Sequence, residues 1–107
     1  MPHTTLCYGT VPSFEAFKEA FDRECPHYVY ELDVRGTDAR MFADIGLGNG
    51  AGHYSVSVQS LYALLDQLGA IAEGHISHGV IPWSDEQREW AGDFASSILT
   101  TLGFEWV

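Results

Sequence analysis

The sequence predicts an α+β domain: an antiparallel β-meander of three to five strands with about three helices packed on one face. Two periodicities predict this class. Apolar and polar residues alternate, with the period of a strand, through much of residues 27–58, whereas apolar residues recur at helical spacing in three other stretches. At 107 residues, with no linker or repeat to divide the chain, residues 1–107 are expected to form a single compact domain.

The first part of the chain is predicted to hold a strand, a helix and a second strand. Thr4 to Tyr8 is a short β-favouring run. Ser13 is a good N-cap for a helix that carries a stripe of phenylalanines and ends close to Pro26. The residues from His27 to Arg35 alternate regularly and are predicted to form a strand.

The centre of the predicted sheet is a β-hairpin between Met41 and Val58. Met41 to Leu47 and Tyr54 to Val58 alternate, and Asn49-Gly50 between them suits the positive φ angles of a tight turn. With a turn at Gly36 to Asp38, the hairpin extends the preceding strand into a meander. One sheet face is expected to be buried, and the other is expected to display Glu31, Asp33 and Asp44 to water.

The last part of the chain is predicted to be mainly helical. A wide apolar face runs from Ser60 to about Gly74, and a connector follows in which Val80-Ile81 is a candidate short strand. Ser84 and Gln87 form a capping box for a final helix that Gly103 ends. The last four residues are either a short strand or a docked tail. One core is expected to contain Tyr30, Leu32, Ile45, Val56, Leu64, Leu68, Phe94 and Ile98.

Few motifs point to a reactive centre. The glycines from Gly46 to Gly50 fit a loose dinucleotide-binding pattern, but a strand rather than a helix is predicted to follow them. His75 and His78 have a spacing found in metal sites, and His53, Glu73 or Cys7 could join them, yet neither an HExxH helix nor a CxxC pair is present to complete a ligand set. These three histidines are weak metal candidates, and no cofactor is expected.

Cysteine and carboxylate catalysis have little support. Cys25 and His27 are close in sequence, but a nucleophile and its base normally meet from separate elements and need a third, orienting group. Glu31 and Asp33 share a strand face open to water, where a raised carboxyl pKa is hard to maintain. No catalytic residue is predicted, and the chain is not expected to be an enzyme.

The charge balance is the most unusual property of the sequence. Fifteen Asp and Glu residues against five Lys and Arg give a formal net charge of −10. Such a chain is repelled by nucleic acid and anionic membranes and attracted to basic surfaces. It has neither a long apolar run nor a leader-like beginning, so a cytoplasmic protein is expected.

The acids of the final helix are ordered. Glu86, Glu89 and Asp93 fall at i, i+3 and i+7, which places them in one row. One interpretation is an ordinary solvated surface; the other is a surface that imitates a phosphate backbone or complements a basic groove. On the second interpretation the predicted contact residues are Asp85, Glu86, Glu89, Asp93, Trp83, Glu31, Asp33 and Asp44.

These observations favour a small inhibitory binding protein that blocks a basic, nucleic-acid-handling protein. In size and composition the chain resembles the acidic inhibitors of CRISPR and restriction systems that phages encode, which implies inhibition by binding a protein and not nucleic acid. An immunity protein that neutralises a cationic toxin, such as a nuclease, is a related alternative. An alternative of another class is a small metal-binding domain or enzyme that uses His53, His75 and His78.

Overall fold

A computed structural model describes residues 5–6, 11–25, 29–47, 52–74 and 83–106. These residues form four helices and two pairs of short strands, which is consistent with the α+β class. In chain order the elements are β1 (Thr5–Leu6), α1 (Phe14–Glu24), β2 (Tyr30–Val34), α2 (Gly36–Asp44), β3 (Gly52–Val56), α3 (Val58–Ala72), α4 (Asp85–Thr101) and β4 (Glu105–Trp106).

Serine side chains begin three of the helices. Ser13, Ser57 and Ser84 each accept a hydrogen bond from the backbone N–H three residues on, which satisfies a donor that has no partner inside the helix. At Ser84 the predicted capping box is confirmed, because the Gln87 side chain also accepts from the Ser84 N–H. α3 and α4 make the most extensive contact between helices.

The strands form two separate pairs. β2 and β3 are antiparallel, with Glu31 opposite Ser55 and Leu32 opposite Tyr54. β1 and β4 are parallel, with Thr5 opposite Glu105, so the two ends of the described chain meet. The strand predicted at Thr4 to Tyr8 is therefore present in part. Of the two alternatives for the last four residues, the short strand is observed, at Glu105–Trp106.

The strand predicted for Met41 to Leu47 is wrong, because the chain forms helix α2 there. Burial recurs at helical spacing: Ala39, Phe42 and Ile45 are buried. In a strand, alternation would place Phe42 on the same solvent face as Asp44, whereas Phe42 is only 3% exposed. The predicted turn at Gly36 to Asp38 is likewise the first turn of this helix.

A glycine stop motif ends α2. Gly46 has a φ of +76°, its N–H donates to the Ala43 carbonyl, and the Leu47 N–H donates to the Phe42 carbonyl. This is the Schellman arrangement, in which a left-handed residue lets the last carbonyls of a helix find donors. Gly46 therefore ends a helix and does not open a hairpin loop. Asn49-Gly50 and the candidate strand Val80-Ile81 lie outside the described residues.

The predicted meander of three to five strands is also larger than the sheet observed. Among the described residues the antiparallel sheet contains β2 and β3 alone, because the segment expected to lie between them is helical. β3 begins and ends two residues earlier than predicted, and Val58 is already in α3. A strand, as expected, follows the glycine-rich segment where a dinucleotide-binding motif needs a helix.

All eight residues of the predicted core belong to one apolar cluster. Leu32, Ile45, Leu68 and Ile98 are buried in it. The other four, Tyr30, Val56, Leu64 and Phe94, are partly buried and pack against it. Along β2 the burial alternates as predicted, with Leu32 and Val34 inside and Glu31 and Asp33 exposed. The sheet therefore has one face on the core and one in water.

Candidate protein-interaction surface

Helix α4 presents the acid row that the sequence predicts, defined here as Glu86, Glu89 and Asp93. The capping box at Ser84 fixes where the helix begins and hence which way each side chain points. All three carboxylates of the acid row are exposed. Asp85 and Glu86 lie in the first turn, where the helix dipole favours negative charge and offsets part of the repulsion between neighbouring acids.

A first groove lies between α4 and the end of α3. Its volume is about 370 Å³, and it is lined by Ala72, Asp85, Arg88, Glu89 and Asp93. An Arg88 guanidinium nitrogen lies 3.6 Å from a carboxylate oxygen of Asp85. The same guanidinium lies against Gly74, where an added Cβ would come within 3.3 Å of it. Arg88 thus places one positive charge among the acids of this groove, which we call the Arg88 groove.

A second groove, of about 360 Å³, lies between β2 and α4, and we call it the acidic groove. Four carboxylate residues line it, and none of the described residues lining it is Lys or Arg. The acids come from three elements: Glu31 and Asp33 from β2, Asp38 from α2 and Asp93 from α4. The other lining residues are Tyr30, Leu32, Trp90, Phe94, Ser97 and Ile98.

The acidic groove runs along one edge of β2. Its lining includes four consecutive residues from Tyr30 to Asp33, whose side chains alternate between the core face and the solvent face. A groove that reaches residues of both faces must pass along an edge of the strand. None of the residues of β3 lines it, so this edge is the one that faces away from β3.

Side-chain contacts hold three of these carboxylates in place. Glu31 contacts His53 on the neighbouring strand. The Asp33 carboxylate accepts a hydrogen bond of 2.8 Å from Nε of Arg35, and Asp38 accepts one of 3.1 Å from the indole Nε1 of Trp90. The Trp90 contact ties the first turn of α2 to α4, so it positions both the acid and the aromatic ring.

Aromatic rings form the α4 side of the acidic groove. The centroid of the Trp90 ring lies 5.3 Å from that of Phe94, which in turn lies 5.8 Å from that of Phe42. Phe42 is buried, and it stacks on Tyr54 of β3 at 6.2 Å. Trp90 and Phe94 are only partly buried, so their rings are anchored to the core while part of each remains accessible.

Burial favours the neutral forms of two titratable groups, the phenol of Tyr30 at the start of β2 and the thiol of Cys25 at the C-cap of α1. Burial raises the pKa of the Tyr30 phenol above its ordinary value, and a hydrogen bond with Thr101 opposes this rise. Burial also raises the pKa of the Cys25 thiol, and the nearby Glu24 carboxylate adds to the effect. Since the thiolate is the reactive form, this environment does not favour a nucleophilic role for Cys25.

The structure brings together part of the predicted contact set. Asp85, Glu89 and Asp93 line the Arg88 groove, and Glu31, Asp33 and Asp93 line the acidic groove, so Asp93 belongs to both. Glu86 is exposed on the same helix. Asp44 lies in α2 and not on the sheet face where it was expected. Trp83 is partly buried against the core, and its role as an interface anchor remains a prediction.

Asp38 lines the acidic groove but is absent from the predicted contact set. Its position next to α4 depends on helix α2, which replaces the predicted turn at Gly36 to Asp38. Trp90, which also lines the acidic groove, is likewise absent from the predicted contact set. A helical pattern of apolar residues at Ala39, Phe42 and Ile45 was the available clue, but the competing alternation over residues 41–47 obscured it.

The alternative of a metal site rests on three histidines, and the structure describes only one of them, His53. His53 lies on β3 against Glu31, whereas His75 and His78 lie outside the described residues. Within the part of the chain that the structure describes, no group of three or more His, Cys, Asp or Glu side chains is arranged to hold a metal ion. No helix in that part has the length and apolar character needed to cross a membrane.

The arrangement is suited to recognition of positive charge. Fixed carboxylates beside partly exposed aromatic rings can bind Lys and Arg side chains through ion pairs and cation–π contacts. What the chain binds must be inferred from its own surface. No protein-family model matches the chain, and no characterised protein or solved structure compared with it is significantly similar.

Proposed function

We propose that this protein is a small inhibitory binding protein that blocks a basic surface on a protein that handles nucleic acid. Inhibitors of CRISPR and restriction enzymes are the type of protein intended. The observation that carries the proposal is the acidic groove, where carboxylates from β2, α2 and α4 meet beside Trp90 and Phe94. A coat of charge that only keeps a protein soluble does not require acids from three elements to converge on aromatic rings.

The negative charge of the chain supports long-range attraction to a basic partner, and the partly exposed aromatic rings support its short-range binding. A net charge of −10 accelerates the encounter with a basic surface and opposes binding to DNA or RNA. The exposed acid row offers a basic groove the kind of negative charge that a phosphate backbone would offer. Aromatic anchors such as Trp90 supply the short-range affinity that surface charge alone does not.

Inhibition assays on purified enzymes test the proposal. The panel consists of RNA-guided nucleases, restriction endonucleases and toxin nucleases with basic substrate channels, each assayed for DNA or RNA cleavage while the chain is titrated. We expect cleavage by at least one class to stop near a stoichiometric ratio, with inhibition that weakens as salt rises. Inhibition confined to toxin nucleases would favour an immunity protein within the same physical scheme. Unchanged cleavage across the panel would contradict the proposed function.

A further inference from the structure

The acidic groove follows an edge of β2 that has no strand beside it in the part of the chain that the structure describes. Among the described residues β2 pairs with β3 on one side, and the acidic groove lies along its other side. In an antiparallel pair the N–H and C=O groups of every second residue point away from the partner strand. β2 therefore directs backbone donors and acceptors into the acidic groove, as a strand edge does when it receives a further strand.

The charge around this edge selects the occupant. Four carboxylates line the acidic groove with no described Lys or Arg among the lining residues. Arg35, outside the lining, pairs with Asp33, and the excess of negative charge that remains favours a positively charged segment. A second copy of the chain would place its own Glu31 and Asp33 against the same acids, and like charges on adjacent strands destabilise a pair. Nucleic acid is excluded on the same ground. A basic polypeptide in extended conformation satisfies both the backbone and the charge.

We propose that the acidic groove binds an extended segment of the partner protein, in which Lys or Arg alternates with apolar residues, by adding it as a strand to the free edge of β2. The pleat fixes which side chains meet. Residues on one face of the added strand would lie beside Glu31 and Asp33, and residues on the other face would lie toward Phe94 and Trp90. Lys or Arg suits the first set of positions and Val or Thr the second.

The geometry accommodates a short segment. Five residues of β2 span roughly 16 Å at the rise of an antiparallel strand, and the four that line the acidic groove account for most of that length. Asp38 and Asp93, on the α2 and α4 sides of the acidic groove, add charge beyond the strand itself. This inference rests on the proposed function, since it specifies which part of a basic partner is bound.

Peptide binding to the full chain tests the inference. The probe is a short fluorescent peptide in which Lys or Arg alternates with Val or Thr, and binding is followed by anisotropy, with amide hydrogen exchange read out at β2. We expect saturable binding and slower exchange at those amides of residues 30–34 that point away from β3. A version of the peptide N-methylated on the amides of its pairing edge keeps its charge but cannot donate to β2, so it is expected to bind at least about tenfold more weakly.

Two charge variants localise the site. E31Q/D33N/D38N/D93N removes the charge of the acidic groove while each amide oxygen can still accept a hydrogen bond, and we expect it to weaken binding at least about tenfold. E15Q/E19Q/D66N/E73Q makes the same change in net charge at exposed residues of α1, α3 and its C-cap, and should leave binding within about twofold. Circular dichroism checks that both variants are folded.

Any of the following outcomes overturns the inference that a strand is added to β2. Equal binding of the methylated peptide excludes strand addition. An open edge is excluded if the unmethylated peptide does not bind, or if the β2 amides that point away from β3 already exchange slowly before peptide is added. Binding that survives the groove variant but is lost in D85N/E86Q/E89Q moves the site to the outer face of α4. In all these cases the proposed function is still supported if the chain inhibits an enzyme of the panel described above. It is contradicted separately if cleavage by every enzyme of that panel is unchanged.

Discussion

At the scale of single residues, environment decides what each polar side chain can do. The phenol of Tyr30, the first residue of β2, is partly buried and hydrogen-bonds with Thr101, and its burial favours the neutral form by raising its pKa. The carboxylates at Glu31, Asp33 and Asp38 are held by His53, Arg35 and Trp90. Such contacts restrict the direction of each acid, which would lower the entropy cost of any ion pair that the acid forms with a partner.

Replacing Tyr30 with Phe is expected to change how stability depends on pH. Because burial raises the Tyr30 pKa above its ordinary value of 10.0, the folded state favours the neutral phenol. This contribution is complete below the unfolded pKa and is lost as pH rises through the folded pKa. Urea unfolding from about pH 9 to about pH 11.5 should therefore show a larger loss of stability in the natural chain than in Y30F. Parallel pH curves would contradict this assignment.

At the scale of elements, the helices with clear caps were predictable and the central segment was not. Ser13, Ser84 and Gly103 mark helix ends because each satisfies backbone groups locally. Residues 41–47 satisfy a strand pattern and a helix pattern at once, and packing of Phe42 against Trp90 and Phe94 favours the helix. Because this segment is helical, β3 pairs directly with β2, and α2 instead brings Asp38 to the acidic groove.

A substitution at Ala43 tests whether residues 41–47 form helix α2 or the strand that alternation predicts. Thr is a poorer helix former than Ala by roughly 0.5 kcal/mol but a better strand former, so A43T is expected to lower the free energy of unfolding. Ala43 is exposed near the end of α2, so packing contributes little to the comparison. Ser55→Thr, at an exposed position of β3, is the matched control and should not destabilise the chain. A stabilising A43T would favour the strand.

Leu65 and Leu64 test how α3 packs against the rest of the core. Leu65 is 0% exposed, whereas the adjacent Leu64 is only partly buried. Leu65→Ala is expected to cost about 2–5 kcal/mol in the free energy of unfolding, and Leu64→Ala clearly less. Chemical denaturation of both variants measures the difference. Equal losses, or a larger loss at Leu64, would mean that α3 turns a different face to the core.

At the scale of the whole molecule, net charge could be read directly from the sequence, but the place where the acids meet could not. The acid row follows from helical spacing alone, and it is exposed as predicted. The acidic groove joins residues as far apart in the chain as Glu31 and Asp93, together with Asp38 from a helix that alternation concealed. Such a site depends on tertiary contacts that no local pattern contains.

The chain is expected not to bind nucleic acid itself. The long-range electrostatic free energy opposes association at a net charge of −10, and the sequence offers no basic patch interleaved with aromatic residues. A gel-shift assay with labelled DNA and RNA, at protein in large excess and at low salt, should show free nucleic acid only. A complex that persists as salt is raised would contradict this expectation.

The acid row provides the most direct test that this protein works by binding a basic partner. The measurement is the association rate constant with an enzyme that the chain inhibits, taken over a range of salt for the natural chain, for E86K/E89K/D93K, and for E15K/E19K/D66K as a folded control with equal net charge. Charge steering raises association rates about tenfold to a thousandfold. We predict that the acid-row variant associates at least about tenfold more slowly at low salt, with a weaker salt dependence, while the control stays close to the natural chain. Equal rates for the natural chain and the folded acid-row variant at low salt would contradict the account.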